Sequence, residues 1–217
     1  MAADGRAAQQ RQSGVPMARI RIIFSKVGLF TFVNHMDLPL IFSRAARRAG
    51  LSQEFTKGFS PHPRISLASP LAVGVEGYAE PADFWFTEWH EDACSRWSAM
   101  LPDGLKILKC AEVEEGLGLA KQINAAVYRV SGADAPLDER AMQVLSETAR
   151  NLDAFRACSL DDGVVTLSVG NLEHCGAGQL VKALVAAEIV SGWQELHIAR
   201  LTVGKWDAST SSVMPLI

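Results

Sequence analysis

Residues 57–64, with the sequence Lys-Gly-Phe-Ser-Pro-His-Pro-Arg, are the part of the chain whose composition is best suited to binding. Pro61 and Pro63 fix φ near about −65° on either side of His62, and each proline pushes the residue before it towards an extended conformation. A loop stiffened in this way loses little conformational entropy when it engages a partner. The segment predicts an exposed binding loop. A stiffened turn in which His62 only caps a neighbouring element is the alternative.

Charge is unevenly distributed along the chain. The whole sequence has 21 Lys+Arg and 24 Asp+Glu, but the first 64 residues contain ten cations and three acids, and the remainder contains eleven cations and 21 acids. Such asymmetry indicates an anionic partner for the first part of the chain, and nucleic acid is the first candidate. The acidic remainder is expected to face away from nucleic acid or to meet a protein partner.

Phosphate recognition requires cations held at fixed positions. Three short segments supply them: the end of the first predicted strand, one face of the following helix, and the 57–64 loop. The predicted anion-binding or nucleic-acid-binding residues are Lys26, Arg44, Arg47, Arg48, Lys57, His62 and Arg64. We expect Lys26, Arg44, Arg48, His62 and Arg64 to converge on one surface. A solvated helix face is the alternative for the arginines.

Two further residues, His35 and Asp37, lie at the predicted start of that helix. Asp37 is interpreted as a cap that accepts backbone N–H bonds, and Gly58 as a structural residue of the loop. His35 and His62 are the candidates for a general acid or base if the chain is an enzyme. A metal site built from His35, Asp37 and His62 has no local ligand spacing to support it, so no metal or other cofactor is predicted.

The four cysteines are widely spaced and form no C-x-x-C pair. We interpret them as reduced core thiols of a cytoplasmic protein. No apolar run approaches the roughly 20 residues of a membrane span, so no membrane association is expected.

Hydrophobic periodicity places six elements in the first part of the chain. Ile20, Ile22 and Phe24 alternate with Arg19 and Arg21, which predicts a half-buried strand with one basic face. A helix over residues 36–49 follows, with strands over 64–68 and 78–87, a helix over 91–101 and a strand over 105–113. This β-α-β-β-α-β order is the split βαβ arrangement of ferredoxin-like domains.

The second part repeats this order, with strands over residues 125–131, 154–158, 165–169 and 196–203 and helices over 136–150 and 177–187. The predicted fold class is α+β, with two tandem ferredoxin-like (split βαβ) units that have antiparallel sheets. The predicted boundaries are a disordered lead (1–17), a ferredoxin-like domain with the basic site (18–115), a second, acidic ferredoxin-like domain (123–206) and a tail (207–217).

Several sequence pieces occur in the order of one known family. They are Arg21 with Phe24-Ser25-Lys26, residues 34–38, Arg44 with residues 47–50, the 57–64 loop, residues 70–76 and residues 128–130. Through these pieces, residues 18 to about 131 resemble the radical-SAM-linked protein family, whose members occur beside or fused to radical SAM proteins. The family often has an aspartate-leucine-arginine-proline run further on, which residues 151–159 of this chain lack.

The resemblance implies an RNA-related setting, because family members commonly occur near genes for RNase G and ribosomal proteins. This chain has no C-x-x-x-C-x-x-C triplet to hold an iron–sulfur cluster. It would therefore be the accessory protein, and a separate radical SAM protein would be the enzyme. The predicted function is a non-catalytic RNA-binding accessory that presents tRNA or rRNA for modification or processing. An enzyme acting on an anionic or phosphorylated small molecule through His62 or His35 is the alternative.

Overall fold

The computed structural model describes residues 17–217, so the predicted disordered lead falls outside the described residues except for Met17. The strands in this part of the chain are β1 (Ala18–Lys26), β2 (Ile65–Leu67), β3 (Glu76–Phe86), β4 (Leu105–Glu112), β5 (Ala125–Gly132), β6 (Phe155–Asp161), β7 (Val164–Val169), β8 (Leu196–Asp207) and β9 (Ser212–Met214). The α-helices are α1 (Leu38–Arg48), α2 (Ala93–Ala99), α3 (Leu119–Gln122), α4 (Glu139–Asn151) and α5 (Ala177–Ala186).

All nine strands belong to one sheet. Its order is β4-β1-β3-β8-β5-β7-β6, with β2 paired to β3 and β9 paired to β8. The predicted α+β class is therefore confirmed, and the sheet is mostly antiparallel. At the centre β3 and β8 pair in parallel, with Glu76 opposite Ala199 and Gly77 opposite Arg200. The predicted tail also contributes, because β9 extends the sheet beside β8.

Strand β1 shows the expected alternation. Ile20 and Ile22 face the core beneath α1 and α2, and Arg19 and Arg21 point to the other face of the sheet. Both arginines are buried, although the sequence predicts an open basic face. Each forms an ion pair with Asp83 of β3, at 2.6 Å and 2.7 Å, because a carboxylate stands beside them on the neighbouring strand.

The segment that follows β4 covers this ion cluster. Arg19 donates to the backbone carbonyls of Glu114 and Leu117, and Arg21 donates to the side-chain oxygen of Gln122. The guanidinium groups therefore find acceptors on the chain itself, as buried charges require.

Helix α1 positions the candidate site. Its predicted apolar stripe is buried, and it consists of Leu38, Phe42, Ala45, Ala46 and the C-cap residue Ala49. The helix ends in a Schellman motif, in which Gly50 donates to Arg47 and Leu51 donates to Ala46. Gly50 has a φ of 73°, which glycine adopts without strain. This turn directs the chain from α1 into the loop that leads to β2.

The core has two parts, one under α1 and α2 and one under α4 and α5. In the first, Trp97 makes edge-to-face contacts with Phe42, Phe84 and Phe86. Its indole N–H donates to the Phe42 carbonyl, so this large side chain is buried without an unsatisfied donor. Within residues 17–217, no helix combines the length and apolar character that crossing a membrane requires.

The interpretation of all four cysteines as reduced thiols is wrong. Cys94 of α2 and Cys110 of β4 form a disulfide, because the helix packs directly on that strand. Cys158 and Cys175 are free. Burial of Cys175 raises its pKa to about 11, so it is an inert thiol at neutral pH.

Replacing both cysteines, as Cys94→Ser with Cys110→Ser, should lower the free energy of unfolding. The bond closes a loop with a sequence separation of 16, for which the chain-entropy relation gives about 3 kcal/mol. Urea unfolding without reductant measures the effect, and Cys158→Ser is the control. Equal stability of the double variant and the unsubstituted protein would show that the bond does not stabilise this fold.

Candidate nucleic-acid interface

A groove of about 790 Å³ lies between α1 and the chain that follows it. We call it the α1 groove. One wall is the outer face of the helix and the 3₁₀ turn before it, and the other wall is the loop between α1 and β2. The lining residues are Met36, Pro39, Leu40, Ser43, Arg44, Arg47, Leu51, Ser52, Gln53, Phe55, His62, Pro63 and Ile65.

The loop is held by backbone hydrogen bonds at its base. Glu54 donates to the Trp85 carbonyl, and the Trp85 amide donates to the carbonyl of Arg64. Above this base, Thr56 donates to the carbonyl of His62, which closes the tip. Gly58 at the tip has a φ of 145°, a conformation that favours glycine. The loop is thus anchored to β3, and its tip extends into solvent.

The tip and the groove wall expose aromatic side chains. Phe59 is completely exposed, at 110%, and Phe55 is 53% exposed. Met36 of the 3₁₀ turn, at 80%, and Leu40 of α1, at 52%, add to this apolar surface. Large apolar side chains in such an arrangement mark a surface that contacts a partner or a ligand.

Two of the predicted cations lie in the groove. Arg44 and Arg47 are exposed on α1, and neither has a side-chain hydrogen bond or ion pair among residues 17–217. His62 lines the same groove from the loop side, and its Nδ1 lies 3.2 Å from the Thr56 hydroxyl and 3.2 Å from the Ser60 carbonyl oxygen. These contacts orient the ring and leave Nε2 for a ligand.

Two other predicted residues lie near this set but outside the groove lining. Arg48 is exposed but turns towards α2, where it donates to the carbonyl of Met100 at 2.6 Å. Lys57 is exposed at the loop tip.

Lys26 does not join the predicted surface. Its side chain is fully buried, and its ammonium donates to the Thr31 carbonyl at 3.2 Å. The reason is that the chain after β1 folds back as a 3₁₀ turn, Gly28–Phe32, over the end of the strand. Burial lowers the pKa of Lys26, an effect that the nearby Glu80 opposes and Arg200 reinforces.

Arg64 is also separated from the groove. Its guanidinium stacks on Trp85 at 4.1 Å from the ring centroid and pairs with Glu54 at 3.0 Å and Glu115 at 3.6 Å. Trp85 alternates along β3 with Phe84 and Phe86, which pack under the helices, so Arg64 lies on the opposite face of the sheet. The expected convergence of Lys26, Arg44, Arg48, His62 and Arg64 on one surface is therefore wrong for Lys26 and Arg64.

The predicted cap at Asp37 is also corrected. Asp37 occupies the N-cap position of α1, but its carboxylate accepts no capping hydrogen bond. The chain is already helical there, with φ −87° and ψ −19°, because a 3₁₀ turn (His35–Asp37) precedes the helix. Asn34 caps that turn instead, and its side chain accepts from the amide of Met36.

The two histidines occupy different environments. His62 lies in the exposed loop, whereas Nδ1 of His35 is buried and has no hydrogen-bond partner among the described residues. Burial lowers the pKa of His35, and the charges of Arg200 and Lys26 act in the same direction while Glu80 opposes them. Among residues 17–217 no group of three potential metal ligands is assembled.

Sequence reasoning missed the apolar half of the groove. Leu40 lies on the outer arc of α1 among charged residues. An apolar residue on the polar arc of a helix indicates a contact surface, so this residue carried a usable signal. Gln53 and Phe55 carried no such signal. They are brought to the groove by the bridge of Gln53 to Phe86 of β3, a pairing between residues distant in sequence.

Replacing Lys26 by Met should change how stability depends on pH. The unfolded chain keeps the lysine proton up to about pH 10.4, whereas the folded chain releases it at a lower pH. Between these pKa values the unfolded state binds more protons, so stability should increase as pH rises, and Lys26→Met should lack this increase. Urea unfolding at several pH values from 8 to about 10.5 measures it, with Lys182→Met, at an exposed position, as control. If the free energy of unfolding changed with pH in the same way in all three proteins, the lowered pKa of Lys26 in the folded state would be contradicted.

Comparisons with known proteins give a family and two distant structural similarities. A protein described as a glycine cleavage system transcriptional repressor aligns with 85% of this chain and 98% of its own, at 13% identity and a TM-score of 0.25. The acetolactate synthase small subunit from Thermotoga maritima aligns with 89% of this chain and 99% of its own, at 8% identity and a TM-score of 0.25. Similarity this low carries no argument about this chain. A comparison with curated proteins gives no match. The family described as "Uncharacterized protein conserved in bacteria (DUF2344)" matches residues 19–158, and because this is more than half of the sequence, the chain belongs to that family.

Proposed function

We propose that the chain is a non-catalytic RNA-binding protein whose α1 groove holds a single-stranded segment of tRNA or rRNA. The observation that carries this proposal is the presence of Arg44 and Arg47, without protein partners among the described residues, in the same groove as exposed Phe55. Cations that track the backbone, combined with aromatic rings that stack bases, are the two elements of single-strand recognition.

The arginines account for phosphate binding. Arg44 and Arg47 are three residues apart on α1, so their side chains are neighbours on one helix face. Guanidinium groups bind phosphate oxygens through paired N–H donors, which makes arginine well suited to this contact. Lys57, exposed at the loop tip, adds a further cation to the same part of the chain.

The apolar wall accounts for base binding. Phe55 in the groove offers a ring face on which any base can stack, and Met36 and Leu40 widen this surface. Phe59 offers a second exposed ring at the loop tip, outside the groove lining. In a duplex the bases are already paired and stacked, so a groove of this chemistry favours loops and single-stranded ends. Stacking and phosphate contacts carry little sequence information, so unrelated single-stranded RNA sequences should bind with similar affinity.

The wider setting belongs to the same proposal. Two tandem ferredoxin-like units would place the groove in the first unit and leave the acidic second unit to meet a protein partner. We take that partner to be a separate radical SAM enzyme in the cytoplasm, to which the bound RNA is presented, and the resemblance of the sequence to the radical-SAM-linked family supports this choice. The repeated β-α-β-β-α-β order of the described strands and helices supports the two-unit arrangement.

The alternative is an enzyme that acts on an anionic or phosphorylated small molecule through His62 or His35. The groove offers two guanidinium groups and one exposed imidazole, a set better suited to holding phosphate than to transferring protons. His35 lies near the charged groups of Lys26, Glu80 and Arg200, and it is not among the residues that line the groove. The geometry therefore favours binding.

Arg44→Ala and Arg47→Ala should each weaken binding of a fluorescein-labelled single-stranded RNA without loss of folding. Exposed substitutions of this kind change stability by no more than about 0.5 kcal/mol. Removal of one phosphate contact should reduce the magnitude of the slope of log K against log salt by about 0.7. Fluorescence anisotropy at several salt concentrations measures both effects.

Arg64→Ala is the matched control within the first part of the chain, because Arg64 is paired with carboxylates on the opposite face of the sheet. Arg140→Ala is the control in the second part. Both should keep the salt slope of the unsubstituted protein. Absence of RNA binding by the unsubstituted protein, or an equal loss in the Arg64 and Arg44 variants, would overturn the assignment of the groove.

A further inference from the structure

A second cavity, of about 470 Å³, lies where the two parts of the chain meet. We call it the junction pocket. Residues 68–70, between β2 and β3, form one side, and Ala120, Ile123 and Asn124 before β5 form another. Arg156 and residues 171–173 of the second part form the third side, at which Arg156, Asn171 and Glu173 are exposed. Small-molecule sites commonly have this size and occur where two units meet.

The junction pocket contains one cationic and one anionic side chain. Arg156 and Glu173 both line it, and neither forms a salt bridge among residues 17–217, either with the other or with a third residue. Since these opposite charges do not neutralise each other directly, each is available to a ligand group of the opposite sign.

The local backbone holds Arg156 at the pocket wall. Its Nη1 donates to the carbonyl of Phe155 at 2.9 Å. The rest of the guanidinium lies against Gly170, where a Cβ atom would come within 2.5 Å of Nη2. The absence of a side chain at position 170 therefore allows the guanidinium to occupy this place.

Two amide side chains have their orientations fixed in complementary ways. The Oδ1 atom of Asn124 accepts from the amide of Trp206 at 2.8 Å, which leaves its NH₂ group as a donor for a ligand. The Nδ2 atom of Asn171 donates to the carbonyl of Leu152 at 2.9 Å, which leaves its Oδ1 atom as an acceptor. The pocket thus offers two kinds of donor, the Arg156 cation and the neutral Asn124 amide. It also offers two kinds of acceptor, the Glu173 carboxylate and the neutral Asn171 oxygen.

The remaining lining is apolar and comes from Ala68, Pro70, Ala120, Ile123 and Leu172. We propose that the junction pocket binds a small zwitterion of the amino-acid type with an apolar side chain. Arg156 and the Asn124 amide bind its carboxylate, Glu173 and the Asn171 oxygen bind its ammonium group, and the apolar wall contacts its side chain. This site is separate from the α1 groove and does not depend on RNA binding.

Isothermal titration of the full chain with L-valine, L-leucine, L-methionine and L-phenylalanine tests the proposal. At least one should bind at a single site. For the tightest of the four, the matching amine without the carboxylate and the matching acid without the amino group should each bind about tenfold more weakly or worse, because each loses a charged hydrogen-bond partner. Lack of binding by all four amino acids would overturn the proposal.

Substitutions assign the two charges. Arg156→Gln should weaken amino-acid binding about tenfold or more but leave the weak binding of the amine unchanged, and Glu173→Gln should do the converse with the acid. Gly170→Ala should reproduce the Arg156→Gln result, because the added methyl group displaces the Arg156 guanidinium from its place at the pocket wall. The fold should be kept, since only the end of a flexible side chain must move. Arg129→Gln, an exposed arginine outside the pocket, should have no effect. Unchanged amino-acid affinity in Arg156→Gln would contradict the assignment.

Discussion

The buried ion pair between Arg200 of β8 and Glu80 of β3 connects the two parts of this molecule. The guanidinium donates to both carboxylate oxygens, at 2.8 Å and 2.6 Å, beside the parallel strand pairing at the centre of the sheet. It also donates to the carbonyls of Ser69 and Pro70. Removing one partner of such a pair leaves an uncompensated buried charge, which costs about 3–5 kcal/mol. One guanidinium group therefore contacts β3 and the loop beside the junction pocket from its place on β8.

A second buried ion cluster decides which surface remains available for a partner. Arg19 and Arg21 are bound by Asp83 and covered by the segment after β4, and Lys26 is enclosed by the turn after β1. Three of the ten cations among the first 64 residues are therefore used inside the fold. The charge asymmetry of the sequence overstates the basic surface. The cations that remain exposed on α1 and the loop tip are Arg44, Arg47, Arg48 and Lys57.

The sequence predicted the elements well, because their signals are local. Alternation identified β1, helical periodicity identified the buried stripe of α1, and Gly50 marked the end of the helix. It also pointed to α1 and the 57–64 loop as the candidate site. The partners of Lys26 and Arg64 could not be predicted, since these contacts depend on a turn that covers a strand end and on the face of β3 that presents Trp85. The disulfide and the parallel pairing of β3 and β8 likewise join residues that only the tertiary fold brings together.

The proposed function places single-stranded RNA in the α1 groove, against the exposed ring of Phe55. Ultraviolet crosslinking of the full chain to a single-stranded RNA, followed by mass spectrometry of the crosslinked peptides, tests it most directly. We expect crosslinks within residues 36–65, centred on Phe55 and Phe59, because stacked bases react with the rings that they contact. Crosslinks confined to residues 125–217, or none within residues 36–65, would contradict it.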